Sequence, residues 1–127
     1  MIGFTFRVDG LQTVDRALAT IGHVVRRPAL INATKAAGKI LRKEVVNSVT
    51  FRTADADRAI EFNMISLDEP IEGAVQTIRE KWYWRFHEWG TVKMTARPFM
   101  RPGLDHGRDR AHREATLEFF ETVRRGL

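Results

Sequence analysis

The sequence predicts an α+β fold: a small antiparallel sheet with a long amphipathic helix and a C-terminal helix packed on it. Three observations carry that prediction. Two segments alternate apolar and polar residues with period two, Phe4-Thr5-Phe6-Arg7-Val8 and Ile60-Glu61-Phe62-Asn63-Met64, as half-buried strands do. Two long segments carry apolar residues three or four apart, as helices with one buried face do. The resulting order, β-α-α-β-β-(α)-α, does not alternate as a parallel α/β fold requires, which leaves helices segregated against an antiparallel sheet.

The first strand ends at Asp9-Gly10, a turn pair. Leu11, Val14, Leu18 and Ile21 then recur at helical spacing and Gly22 follows, so a short helix is expected over residues 11–21. Pro28 is suited to open the next helix in its first turn. Leu30, Ala33, Ala37, Ile40, Leu41 and Val45 form its apolar stripe, and Lys35, Lys39, Arg42 and Lys43 form a basic face. Thr50, Thr53, Asp55 and Asp57 mark residues 49–58 as a polar loop. After Met64 the apolar parity changes at Ile65 and Leu67, which a bulge or an early strand end explains. Asp68-Glu69-Pro70 is a turn, and Ile71 to Arg79 reads as a further strand whose buried face the pattern leaves open. Residues 81–89 hold all three tryptophans and the one tyrosine, and a short helix ending at Gly90 is expected there. Residues 91–97 read as a mobile basic spacer. The last helix, with Pro102 near its first turn, has the stripe Leu104, Ala111, Ala115, Phe119 and Val123.

The chain has 127 residues, enough for one domain spanning 1–127. With no cysteine, it has no disulfide framework, no thiolate zinc site and no thiol chemistry. No apolar run approaches the roughly 20 residues of a membrane span, and the N-terminus does not read as a leader peptide, so a protein made in the cytoplasm, with no membrane partner, is expected. The net charge of +5 is unevenly distributed: residues 1–50 alone carry eight Lys/Arg against three acidic residues. Such asymmetry suits a polyanion, or a basic face packed on an acidic face of a neighbouring copy.

Catalysis finds little support. His106 and His112 lie six apart, on opposite sides of a helix, and no pair among His23, His87, His106 and His112 has metal-site spacing. Ser48 and Ser66 have no nucleophile motif around them, and Gly90 and Gly103 stand alone rather than in a phosphate loop. No enzyme, cofactor or metal is expected. Nucleic acid is the competing ligand: the four basic residues could track phosphates, and Trp82, Tyr83 and Trp84 could stack on bases. The plainer reading, which the residues favour, makes the charge run a solvated helix face and the aromatics core.

The most informative stretch joins Glu88-Trp89-Gly90-Thr91 to Ala96-Arg97-Pro98-Phe99-Met100-Arg101-Pro102-Gly103-Leu104. Pro98 and Pro102 stiffen its second half, so Phe99 and Met100 are presented at low entropic cost, either to a neighbour's groove or to the domain's own core. These two blocks resemble the hallmark of the neck, or tail-completion, proteins of long-tailed bacteriophages, often described as minor tail components. In that family an aromatic-rich approach to Glu-aromatic-Gly-Thr precedes Ala-Arg-Pro-Phe-(apolar)-Arg-Pro-Ala. The match covers residues 82–104, with Gly103 in place of the usual Ala; the general layout agrees more loosely.

The resemblance implies a virion structural protein of the head–tail junction, forming a homo-oligomeric ring, expected to be a hexamer, through which DNA passes. Implied partners are the connector or head-closure proteins and the tail-terminator or tail-tube proteins, with non-specific contact to passing DNA. On this reading Trp82, Trp84, Phe86 and Trp89 anchor the motif to the core. Glu88 bonds backbone N–H groups or an arginine, Gly90 supplies the turn before Thr91, and Arg97, Pro98, Phe99, Met100, Arg101 and Pro102 contact a neighbouring copy. The basic face at Lys35, Lys39, Arg42 and Lys43 lines the lumen or meets an acidic neighbour.

Overall fold

The computed structural model describes residues 3–6, 23–68 and 70–126. The helix expected over 11–21 lies outside them. Strands β1 (Gly3–Phe6), β2 (Ile60–Ser66) and β3 (Glu72–Thr77) form an antiparallel sheet in the order β1-β3-β2. Helix α1 (His23–Ser48) packs on this sheet and helix α4 (Met100–Gly126) packs along α1. The fold class is the expected one, with α1 as the layer joining the C-terminal helix to the sheet.

Helix α1 begins five residues before Pro28, which therefore stands inside the helix and not at its opening. Pattern reasoning failed here because Val25 and Ala29 already belong to the packed face; tertiary contacts extend a helix past a residue that disfavours it. In α1 the buried row Ala29, Ala33, Ala37, Leu41 and Val45 runs at intervals of four, and Val49 continues it just past the helix end. It is matched in α4 by Gly103, Gly107, Ala111, Ala115, Phe119 and Val123. Small residues dominate the central part of both rows, so the two backbones approach closely. A Cβ at Gly103 would sit 2.5 Å from the Cα of Val45. The helices run antiparallel: Gly103 lies against Val45, Asn32 donates to Thr122 at 3.1 Å, and Gly126 lies against Val25.

On the sheet side, the Phe62 ring is held between Gly38 of α1 and Gly73 of β3. Strand β3 is central, and Gly73, Ala74 and Val75 are all buried, so the alternation that would mark one face is absent. The bulge expected in β2 is present as a register shift between Met64 and Ser66, with Ile65 inside it and Leu67 beyond it both exposed.

The segment expected to be a polar loop contains a 3-10 turn (Thr53–Asp55) and one turn of helix, α2 (Ala56–Ala59), with Val49, Phe51, Ala56 and Ala59 buried. Its aspartates misled the reading: Asp57 is exposed because it faces Arg42, while the small alanines beside it turn inward. No helix among the described residues is long and apolar enough to cross a membrane.

Candidate functional site

Strand β3 leads directly into a 3-10 segment (Arg79–Trp84) and helix α3 (Arg85–Trp89). As the aromatic run predicted, the helix ends at Gly90. This residue has φ +75°, a conformation that side chains resist, and a Cβ there would lie 3.0 Å from the backbone nitrogen of Ala96. Beyond it the expected mobile spacer is a tight turn. Thr91 and Met94 exchange backbone hydrogen bonds at 2.8 and 3.2 Å, because the glycine lets the chain fold straight back. The Arg97 N–H then donates to the His87 carbonyl at 2.6 Å, closing the base of the loop and aiming residues 98–101 at the end of α3.

There the two halves of the motif meet. The Glu88 side chain is fully buried. Its Oε2 accepts the N–H groups of Phe99 (2.8 Å) and Met100 (2.9 Å), while its Oε1 accepts the Arg101 N–H (3.2 Å) and Nε (2.9 Å). The Arg101 Nη2 also donates to the Glu88 carbonyl at 3.1 Å. One carboxylate thus satisfies three orphan donors at the start of a 27-residue helix, where the helix dipole also favours negative charge. Burial pushes the Glu88 carboxyl upward, and the Met100 and Phe99 N–H groups, together with Arg101, more than offset it, leaving the carboxyl below the usual glutamate range. Both expected partners of Glu88, backbone N–H groups and an arginine, are present.

Phe99 and Met100 correct the expectation of a docking finger. Both are wholly buried in the chain's own core. Phe99 packs edge-on to Trp84 (5.9 Å between centroids) and Phe51 (5.6 Å), and Phe51 meets Trp84 at 4.9 Å. The prolines do stiffen the approach, but the Glu88 cap pulls the helix start inward and carries the two apolar side chains with it. Only Arg97, Pro98, Arg101 and, in part, Pro102 remain at the surface.

The core anchors are corrected in the opposite sense. Trp84 is buried, but Trp82 (48%), Phe86 (36%) and Trp89 (59%) are substantially exposed. These three face outward, while Trp84 packs against Phe51 and Phe99. Arg85 lies over the rings of Trp82 (5.3 Å) and Phe86 (5.2 Å), and Arg101 lies over Trp89 (4.5 Å). Trp82 and Phe86 meet edge to face at 5.9 Å. The result is an exposed aromatic–arginine strip in two groups, Trp82, Phe86 and Arg85 in one and Trp89 with Arg101 in the other. Thr91 is exposed at its edge and accepts the Lys93 N–H at 3.3 Å.

The basic face of α1 is reduced by one member. Lys35, Lys39 and Lys43 are exposed, but Arg42 donates from Nε to the Ile60 carbonyl (2.9 Å) and from Nη2 to the Asp57 carbonyl and carboxylate. It ties α1 to α2 and β2, because its position on the helix adjoins the sheet. Lys35 and Lys39 line a groove of about 600 Å³ with Arg110 and Arg125, but Glu114 and Glu118 share it. The two serines are engaged locally, Ser48 donating to the Glu44 carbonyl and Ser66 to the Asp68 carbonyl, each at 2.8 Å. His87 stacks on Phe51 (3.6 Å between centroids, 16° between planes); burial, then Arg97 and Arg52, lower its pKa.

Sequence reasoning missed Phe51, Gly103 and Gly107 as packing residues and Arg85 as part of the surface strip. The interval of four shared by Gly103, Gly107, Ala111 and Ala115 was the available signal. No protein-family model, curated protein or solved structure matches the chain.

Proposed function

We propose that this chain is a structural, non-enzymatic subunit of a bacteriophage head–tail junction, assembling as a homo-oligomeric ring around the DNA passage. The observation that carries the reading is the exposed strip of Trp82, Phe86 and Trp89 interleaved with Arg85 and Arg101. Tryptophan and arginine dominate the binding energy of protein interfaces, and a cluster of large exposed apolar groups marks a surface awaiting a partner. The strip is held rigid by the Gly90 turn and the Glu88 cap, so little conformational entropy is lost when it docks. Further support is the motif resemblance: its two blocks form one unit here, with the first supplying the carboxylate that starts the helix of the second.

On this reading the contact surface is not Phe99 and Met100 but the strip beside them, with Arg97, Pro98 and the turn at Val92. The other implied partners are the head-closure and tail-terminator or tail-tube components above and below the ring. The test is assembly. Sedimentation of the purified protein at rising concentration, with electron microscopy, is expected to give closed rings of about six copies. A Trp82→Ala, Trp89→Ala double variant is expected to stay folded and monomeric. Rings that persist in that variant overturn the role of the strip, and a wild-type chain that never self-associates overturns the ring.

A nucleic-acid-binding module is the second reading, favoured by Lys35, Lys39, Arg110 and Arg125 along one groove. It requires binding of free DNA or RNA with a steep salt dependence. Glu114 and Glu118 in the same groove weigh against it.

A further inference from the structure

Two exposed apolar patches of opposite charge lie at opposite ends of the sheet, and we infer that they are the two halves of one head-to-tail contact between copies of this chain. This rests on the ring reading and identifies which surfaces mate. The first half is the aromatic–arginine strip. Residues 79–101 carry six Lys/Arg against two acidic residues, one of which, Glu88, is buried and bonded to Arg101. The second half is the β2–β3 hairpin tip, where Ile65 (53%) and Leu67 (49%) are exposed. Residues 62–78 carry Asp68, Glu69 and Glu72 and no Lys or Arg, while Glu61, paired with Gln76, lies at the other end of the hairpin. Asp68 is paired with Arg27 at 3.2 Å, but its side chain remains 87% exposed, and such a surface pair is readily exchanged for another.

Register places these patches. Ile60 pairs with Thr77 at one end of the hairpin, and the strip follows immediately after Thr77; Ser66 pairs with Glu72 at the other end, beside the tip. Strands of this length separate the two by roughly 20 Å. A patch on one end that complements a patch on the other cannot satisfy itself within one copy. It defines a heterologous contact, which closes into a ring when the rotation between copies permits. The bulge between Met64 and Ser66 has a role in this arrangement. It lies between the pairs Met64–Gly73 and Ser66–Glu72 and leaves Ile65 without a strand partner and exposed beside the tip.

Because the chain has no cysteine, single introduced thiols report proximity. Leu67→Cys and Phe86→Cys variants are mixed and oxidised, with Leu117→Cys on the outer face of α4 (64% exposed) as the control position. The expected result is a disulfide-linked dimer from the mixture of the first two, weak products from either alone, and a ladder of multimers from the double variant. In sedimentation, Arg85→Glu is expected to weaken self-association about tenfold, and adding Asp68→Arg to recover it. If wild type oligomerises but the Leu67→Cys and Phe86→Cys mixture links no better than mixtures with Leu117→Cys, this contact is wrong and the ring reading stands. Should wild type remain monomeric at every concentration and every mixture give only background links, both fall.

Discussion

Replacing Glu88 with alanine removes the single acceptor that starts helix α4, and the structure sets the size of the effect. The Phe99 and Met100 N–H groups lie in residues with no solvent exposure, so neither gains a water when the carboxylate goes. Each buried donor left unpaired costs about 1–3 kcal/mol. Arg101 is 47% exposed on its side chain and rehydrates, so it adds little. The expected loss is about 3–5 kcal/mol, a large share of the roughly 5–15 kcal/mol that holds a domain together. At about 2 cal/mol/K of unfolding entropy per residue over this chain, Tm falls by roughly 10–20 °C. Glu88→Gln keeps one acceptor oxygen and the shape, and loses less.

The pH dependence separates the charge from the shape. The folded Glu88 pKa lies below its unfolded value, so its contribution is complete above the ordinary glutamate range and is lost as pH falls through the lower folded value. Urea midpoints of wild type and Glu88→Gln, followed by circular dichroism as pH is lowered, are therefore expected to converge on the acid side. Parallel curves would refute the charged cap, and an alanine variant within about 1 kcal/mol of wild type would refute the accounting of buried donors.

Three other outcomes are expected. Phe99→Ala is expected to cost about 3–5 kcal/mol in urea unfolding, against less than about 1 kcal/mol for Trp89→Ala, because the first empties a closed core and the second trims an exposed ring. Gly103→Ala, although it installs a better helix former, is expected to destabilise by about 1–3 kcal/mol, since the new methyl meets the backbone of Val45 and not a side chain that can turn away. His87 has a depressed folded pKa, so stability is expected to decline as pH falls below the ordinary histidine range, where the unfolded chain takes up a proton first; His87→Phe, which keeps a ring on Phe51, is expected to flatten that slope in the same unfolding measurement.

Much of the local structure was legible in the residues themselves. Alternation located β2, and the parity change between Met64 and Ile65 located its bulge, because a strand has only two faces and a slip between them has few causes. Gly90 stopped α3 because a positive φ admits few other residues. That Glu88 bonds backbone N–H groups or an arginine was implied by the motif resemblance; that the donors are Phe99, Met100 and Arg101 came from the tertiary structure.

Which of two apolar groups goes inside was not legible. The aromatic run and the two prolines do not say whether Trp82, Phe86 and Trp89, or Phe99 and Met100, meet the rest of the chain. That was decided by Phe51 and Trp84, brought together from 33 residues apart in the sequence, against both of which Phe99 packs. Likewise the position of Arg42 against β2, and of Gly103 against Val45, depends on how α1 lies on the sheet and α4 on α1. The sequence by itself determined the class of fold, the bulge in β2 and the stop at Gly90, through spacing and backbone sterics; only the tertiary structure decided where α1 begins, what residues 49–58 form and which side chains face water, because burial belongs to pairs of elements and not to any one of them.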